Sequence, residues 1–419
     1  MRAPKIDLLY IITLLFLFLT ANNSNFLSAN NLYWFVILLF MLVVAIAKKL
    51  MARSDLKIIL VFSAVYLGFV AIRDLFINGL GMDFLTSDAI FLFKYVLLSF
   101  TFCVILKDRL TDYLVKVLIH LTIISFFFYF FQLIGLGNTL YSYFTSINLP
   151  NGINSPGYSN ILIFTYDTNH EFRNSGFFWE PGAFVCILIV GLLLHLFTNK
   201  FSFDRRTKLL LVGIVTTVST TGYLALLILF FLWYRYKVPR LNIWVVVLIP
   251  VSIILILNIP VLGDKISKTF DDDMSMSHSE IKRSERYLKA RQDRQVALNR
   301  FSSAVVIYEA FGSELILGVS NKYDEILNNI ENVNISNGIM AFLAKFGLVG
   351  FIFVIYKYSK FCIIYVGKVE LLIYCILILI VLSIGESIMF LPFILNFLFM
   401  TLQQLPPEKN VRGRISPAR

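Results

Sequence analysis

The chain alternates long apolar runs with short polar connections over most of its length. Most runs approach the roughly 20 residues that a helix needs to cross the hydrocarbon core of a bilayer. The pattern predicts an all-α polytopic membrane protein built as a single membrane domain over residues 1–419. The apolar runs cover residues 6–20, 32–47, 58–77, 89–106, 113–134, 176–198, 209–234, 243–257, 338–356, 369–384 and 387–402.

Basic side chains cluster in alternate connections and predict how the spans are oriented. Lys and Arg are concentrated in the connections 48–57, 107–109 and 199–208, and they are almost absent from 21–31 and 78–88. Because Lys and Arg accumulate on the cytoplasmic side of membrane proteins, the basic connections are expected inside the cell. Both termini are then cytoplasmic.

The same orientation places two longer connections on the outer side of the membrane. Residues 135–175 form one outer loop, and residues 258–337 form a large periplasmic or extracellular loop. Apolar side chains recur at three- and four-residue spacing within residues 280–311, which predicts that the large loop is partly helical and lies against the membrane face. The tail at residues 403–419 is expected to be cytoplasmic.

Residues 209–234 depart from the pattern of single spans. Basic residues flank the run on both sides, so a single crossing would leave one basic cluster outside. The polar interior "TTVSTTG", where Gly222 could break the helix, predicts instead a short broken-helix pair that meets at Ser219–Gly222. Each helix would have about 11 to 12 residues, and its tip would face an internal site. One long tilted helix is the alternative. The broken pair brings the total to about 12 membrane helices.

Composition supports the membrane class and excludes others. The chain is 58% hydrophobic and 15% charged, whereas soluble domains are about 45–50% apolar and about 25% charged. The net charge of +11 fits basic cytoplasmic connections, and no nucleic-acid-binding module is recognisable. The acidic run 271–273 is more typical of a solvated loop than of a metal site, so we expect no metal and no cofactor.

An arginine and several acids lie where the run 176–198 begins on the expected outer side. Arg173 precedes Glu180 by seven residues in an aromatic context, although outer loops are otherwise poor in arginine. Charged residues in such surroundings are usually functional, and arginine suits phosphate oxygens. The alternative is a purely structural role for Glu180 at the start of a helix, since Pro181 follows it. Glu180, Glu171 and His170, in that order, are candidate general bases.

Four stretches together resemble the O-antigen polymerase and ligase superfamily of bacterial membrane glycosyltransferases, and most closely its Wzy-type polymerases. These stretches are "RNSGFFWEPGAF" at 173–184, "STTGYLAL" at 219–226, "NRFSSAVVIYEAFGSELILGVS" at 299–320 and "SNGIMAFLAKFGLVGFIFVIY" at 336–356. Their order, together with many spans and one late outer loop, is what carries the resemblance over most of the chain.

The resemblance implies a metal-independent glycosyltransferase in the bacterial cytoplasmic (inner) membrane. Its substrate would be a polyprenyl-pyrophosphate-linked oligosaccharide, and a chain-length regulator and a flippase would be further partners, besides membrane lipid. Arg173 and Arg300 match arginines of the family, and Arg291 and Arg294 are further candidates for binding the pyrophosphate. The residues expected to line the cavity are Ser219, Thr220 and Asn337.

Two departures from the family pattern bear on the reaction. Ser320 stands where a second glycine is common, and Ser336 and Asn337 stand where the ligases have a histidine. The second departure favours a polymerase over an O-antigen ligase. A transporter or flippase of the same lipid-linked sugar is a third possibility, but it would be expected to carry ionisable residues in the middle of its spans.

Overall fold

The computed structural model describes residues 7–77, 82–147, 149–153, 157–238, 296–297, 300–330 and 333–403. Within these ranges almost all regular structure is helical, and the strands are short. The antiparallel pair β1 (Tyr158–Asn160) and β2 (Thr165–Asp167) lies in the predicted outer loop. The parallel pair is β3 (Val296–Ala297) and β4 (Val333–Asn334). The chain is therefore an all-α protein, as predicted.

The α-helices fall into two groups along the chain. Those before residue 239 are α1 (Leu8–Thr20), α2 (Phe26–Ala29), α3 (Asn31–Ala47), α4 (Arg53–Phe76), α5 (Met82–Phe91), α6 (Leu97–Leu106), α7 (Leu110–Phe131), α8 (Gly137–Ile147), α9 (Pro181–Thr198), α10 (Arg205–Thr216) and α11 (Thr220–Lys237). Those after residue 299 are α12 (Arg300–Phe311), α13 (Lys322–Asp324), α14 (Gly338–Val366), α15 (Val369–Gly385), α16 (Pro392–Leu395) and α17 (Phe397–Gln403).

Four helical segments in the described part of the chain are long and apolar enough to cross a membrane. They are α4, the composite segment Phe84–Ile147, α9 and α14. Shorter apolar helices include α1, α3 and α15. The chain is thus a helical membrane protein by length and composition. The total of about 12 spans stays a prediction, and the apolar run 243–257 lies outside the described residues.

Helix α9 lies at the centre of the protein, and α4 lies at its edge. Of the apolar window in α9, 94% is buried inside the protein, against 11% in α4. Helices α7, α10 and α11 pack directly on α9, and α11 packs along α15, which in turn packs on α14. A helix that is hydrophobic all round and covered on all sides is a core element. The residues just before α9 are consequently held by a rigid support.

Helices α10 and α11 form a hairpin, which confirms the broken pair predicted for residues 209–234. The break lies at residues 217–219, where Val218 has a φ of 46°. Ser219 caps α11 by accepting a hydrogen bond from the backbone N–H of Gly222 at 3.5 Å. The suggestion that Gly222 itself breaks the helix is wrong, because Gly222 lies in the first turn of α11.

The two arms of this hairpin differ in length. Helix α10 has 12 residues, within the predicted range, but α11 has 18 and exceeds it. The helix continues past the apolar run to Lys237, whose Nζ donates to the carbonyl of Lys200 at 3.1 Å. The indole of Trp233 donates to the carbonyl of Phe201 at 2.9 Å. Both ends of the hairpin therefore lie beside the turn between α9 and α10, and its tip lies at the opposite end.

The predicted outer loop 135–175 begins with further helix rather than with irregular chain. Helix α7 continues through the π-helical segment Gln132–Leu136 into α8, which ends at Ile147. Gly135 itself is not helical, with a positive φ of 85°, so the chain kinks there and the apolar run ends near the predicted position. In the segment 258–337, predicted as the large outer loop, residues Arg300–Phe311 form α12.

Helix α12 buries one face in the protein and exposes the other. Its buried side chains include Val306 and Ile307, whereas Phe301 and Tyr308, on the face predicted to lie against the membrane, are 59% and 67% exposed. Most of residues 258–299, including the acidic run 271–273, lie outside the described part of the chain.

A buried ion pair joins the first half of the chain to the end of the large loop. Arg73 in α4 is fully buried and pairs with Asp88 in α5 and with Asp74 at 3.1 Å. The hydroxyl of Ser320 donates to the Asp88 carboxylate at 2.7 Å, and Arg73 donates to the carbonyl of Lys345 at 3.3 Å. The loop is thereby anchored against α4, α5 and α14.

Candidate functional site

Five segments that are distant in sequence meet near the start of α9. They are the segment before α9, the tip of the α10–α11 hairpin, the start of α12, the start of α14 and the end of α15. Glu180 occupies the N-cap position of α9 and Pro181 its first turn. The structure confirms the helix start predicted from these two residues. It also places charged groups from three of the segments close together.

Arg173 closes the open end of α10. Its Nε donates to the carbonyl of Thr217 at 3.1 Å, and the backbone N–H of Asn174 donates to the carbonyl of Thr216 at 3.0 Å. Carbonyls at the end of a helix lack partners within the helix, so these two bonds satisfy groups that would otherwise be open. Among the described residues, neither terminal guanidinium nitrogen of half-buried Arg173 has a hydrogen-bond partner. They remain available to an anion.

Asn174 fixes the backbone on which Arg173 is held. Its side chain is fully buried and donates to the hydroxyls of Ser125 at 3.0 Å and of Thr216 at 3.1 Å. Its amide oxygen accepts from the backbone N–H of Gly176 at 2.9 Å. A buried amide with both ends bonded adopts a single orientation. The Arg173 guanidinium is therefore positioned by α7, α10 and the following turn together.

Arg300 reaches the same place from the large loop. It is the first residue of α12, and its Nη2 donates to the carbonyl of Gly385 at the end of α15, at 3.1 Å. Its own carbonyl accepts from the side chain of Asn337 at 2.9 Å. Asn337 in turn caps α14 by accepting from the N–H of Met340 at 3.1 Å. Asn337 thus ties α12 to the start of α14.

Glu386 lies beneath the two arginines. Its side chain rests directly on Gly182 in the first turn of α9, where a Cβ atom would collide with the carboxyl group. Only glycine at that position allows the carboxyl to approach the helix so closely. Glu386 is 8% exposed, and its carboxyl lies near the carboxyl of Glu180. Glu180 also accepts a bond from the indole N–H of Trp179 at 3.1 Å.

The charges in this cluster shift one another's protonation. Burial raises the pKa of Glu386 well above its usual range, and the neighbouring Glu180 raises it further, while Arg300 and Arg173 act in the opposite direction. Burial lowers the pKa of Arg173, against the effect of Glu180 and Glu386. Burial therefore favours the neutral form of Glu386, which lies near two guanidinium groups.

His170 adjoins this cluster, and Glu171 follows it in the chain at an exposed position. Burial and the charge of Arg173 lower the pKa of half-buried His170, which keeps the imidazole neutral. Gln132 fixes both residues through their backbone, since its amide donates to the carbonyls of His170, at 3.1 Å, and of Glu171.

Two of the three predicted cavity residues are helix caps in this arrangement. Ser219 and Asn337 are buried and begin α11 and α14, and Thr220 is half-buried beside Ser219. An apolar cavity of about 220 Å³ lies elsewhere, between α4 and α14, and none of the three lines it. Their role as walls of a substrate cavity stays a prediction. Arg291 and Arg294 lie outside the described residues.

Glu386 is the residue of the cluster that sequence reasoning did not assign to the site. The sequence places it in "SIGESIMFLPF", between two apolar runs, where it looks like part of a tight connection. A lone carboxylate between two apolar runs is itself a signal for function. What the sequence lacks is any indication that the end of α15 lies against the start of α9.

In the described ranges, no group of three His, Cys, Asp or Glu residues could hold a metal ion.

Comparison with known proteins does not extend this picture. No family model, no curated protein and no solved structure matches the chain.

Proposed function

We propose that the protein is a bacterial surface polysaccharide polymerase of the O-antigen or capsule type. It transfers a glycan chain from polyprenyl pyrophosphate to a lipid-linked repeat unit. The observation that carries this proposal is the convergence of Arg173 and Arg300 on the Glu180–Glu386 pair at one end of the helix bundle. Two guanidinium groups from different segments match a ligand with two adjacent phosphates.

The cluster suits displacement of a pyrophosphate from a sugar. Negative charge grows on the pyrophosphate as its bond to the anomeric carbon breaks, and fixed guanidinium groups stabilise that charge without reorganising. The terminal nitrogens of Arg173 can bind the phosphate oxygens. The attacking hydroxyl needs a proton acceptor, and Glu180 is the ionisable group best placed for that role. Neutral His170 is a second candidate, and exposed Glu171 is the weakest of the three.

The proposed topology follows from the distribution of basic residues. The cluster and the loops 135–175 and 258–337 face the outer side of the cytoplasmic membrane, and about 12 helices cross or enter the bilayer. Both termini lie in the cytoplasm. The partners are the lipid-linked oligosaccharide, membrane lipid, and a chain-length regulator and flippase of the same pathway. The reaction as proposed uses neither cofactor nor metal.

Two other functions are weaker. A ligase is disfavoured because Asn337, which stands where the ligases have a histidine, is committed to capping α14 and to bonding Arg300. A flippase is disfavoured because the described charged cluster gathers at helix ends rather than in mid-span. In a reconstituted system, a polymerase lengthens glycan without moving lipid between leaflets, whereas a flippase moves lipid without lengthening glycan.

The proposal is tested by Arg173→Ala and Arg300→Ala in cells that lack the chromosomal copy. Because each guanidinium stabilises the leaving pyrophosphate, each substitution should slow polymerisation by about 10²–10³-fold and abolish long-chain polysaccharide on gels. Arg206→Ala is the matched control, since Arg206 forms an exposed ion pair with Asp112 at 3.2 Å at the opposite end of α10. Normal long chains from both site variants would refute the proposal.

A further inference from the structure

The two carboxyl groups of the site lie near each other but differ in their surroundings. Glu386 is buried, with its carboxyl pressed against Gly182. Glu180 is half-buried and accepts an indole N–H bond from Trp179 at 3.1 Å. A hydrogen bond donated to a carboxylate favours its ionised form, and burial favours the neutral form. Of the two carboxyls, Glu386 is therefore the one whose surroundings favour the neutral form.

We propose that Glu386 is a positioning residue that stays neutral and donates its proton as a hydrogen bond to Glu180, which leaves Glu180 as the ionised base. The pair acts as one unit with one negative charge. The charged or titratable groups that face Glu386 are Glu180, Arg173 and Arg300, with the thiol of Cys186 one turn further along α9.

This assignment gives each group one task in the transfer, and that catalytic consequence rests on the proposed function. The acceptor hydroxyl oxygen forms a bond to the anomeric carbon, and the bond from that carbon to the pyrophosphate oxygen breaks. The electron pair leaves with the pyrophosphate, which Arg173 and Arg300 bind. The hydroxyl proton passes to Glu180. Glu386 forms no bond to substrate and keeps its proton throughout.

A neutral Glu386 also removes a conflict at the phosphate site. Two ionised carboxylates beside the arginines would cancel both positive charges before the pyrophosphate arrived. With one proton held on the pair, one net positive charge remains for the ligand. The arrangement sets a pH dependence, because Glu386 loses its proton as the pH rises through its raised pKa. The resulting second negative charge would weaken binding of the pyrophosphate and remove the hydrogen bond to Glu180.

Substitution by glutamine distinguishes the roles of the two carboxyl groups. Glu386→Gln keeps a neutral donor of the same shape, so polymerisation should continue at neutral pH, and its loss at alkaline pH should disappear. Glu386→Leu removes the donor and should slow polymerisation by about ten- to hundredfold. Glu180→Gln removes the base and should slow it by about 10²–10⁴-fold. The assay uses washed membranes that contain the endogenous lipid-linked oligosaccharide, over a range of pH.

Infrared spectroscopy of the purified protein tests the proton assignment without any substrate. The carbonyl band of a protonated carboxylic acid should be present at neutral pH in the wild type and should lose intensity in Glu386→Gln. Elution as a single species in detergent checks that each variant is folded. A band that Glu386→Gln leaves unchanged would overturn the assignment, as would a Glu386→Gln variant as inactive as Glu180→Gln. These results are independent of the arginine variants, which test the polymerase function itself.

Discussion

At the scale of single residues, the site depends on a buried asparagine that touches no proposed substrate. Asn174→Ala should lower the free energy of unfolding by about 1–3 kcal/mol, because the N–H of Gly176 and the hydroxyls of Ser125 and Thr216 lose a buried partner. Thermal unfolding in detergent measures the change. Asn169→Ala is the control, since Asn169 is exposed and its side chain donates to the nearby carboxylate of Asp167 at 2.9 Å. Equal unfolding temperatures for the two variants would contradict this account.

The sequence signals for Arg173 and Glu180 differ from the signal for Glu386. Arg173 and Glu180 were recognisable because charge is costly beside apolar spans, so their presence needed an explanation. A charge on Glu386 is equally costly beside apolar spans, but no charged residue adjoins Glu386 in the sequence. Its partners come from the start of α9, from the segment before α9 and from α12. Glu171 lies only two residues from Arg173 in an irregular segment, and sequence proximity there does not determine which side chains face the same way.

At the scale of elements, the break between α10 and α11 places the tip of the hairpin against Arg173. Val218 holds a positive φ of 46°, which a β-branched residue adopts at a cost of about 1–2 kcal/mol. Val218→Gly relieves that strain, whereas Val215→Gly, at an exposed position in the last turn of α10, introduces a residue that favours the helix less than valine does, at a cost of about 0.5 kcal/mol. We therefore expect Val218→Gly to have the higher unfolding temperature. The reverse order would show that Val218 is unstrained.

The elements themselves were predictable to different degrees. The broken pair could be inferred because basic residues flank both of its ends and because polar residues interrupt its apolar run. The extension of α7 through Gln132–Leu136 into α8 could not, since Gly135 and the polar residues after it are typical of a loop. Tertiary contacts stabilise the helical conformation of this segment. Helix α8 packs against β1 and β2, and the side chain of Gln132 donates to the backbone carbonyls of His170 and Glu171.

At the scale of the whole molecule, the proposed function requires that α9 cross the membrane with the arginine cluster outside. Exposed aromatic residues flank α9 on either side, with Phe172 at 71% and Phe203 at 57% exposure. The four native cysteines are buried and free, so a membrane-impermeant thiol reagent should report only on cysteines that are introduced at exposed positions. Phe172→Cys and Phe203→Cys therefore form a matched pair for mapping the topology.

We expect Phe172→Cys to react with the reagent in intact cells, and Phe203→Cys to react only after the membrane is permeabilised. The physical reason is that Arg205, Arg206 and Lys208 follow Phe203 and resist translocation, whereas the loop 135–172 carries no Lys or Arg. Labelling of both variants in intact cells would contradict a crossing by α9. The reverse pattern would place Arg173 and Arg300 in the cytoplasm, where a polymerase acting on outward-facing lipid-linked glycans has no substrate, and the proposed function would have to be abandoned.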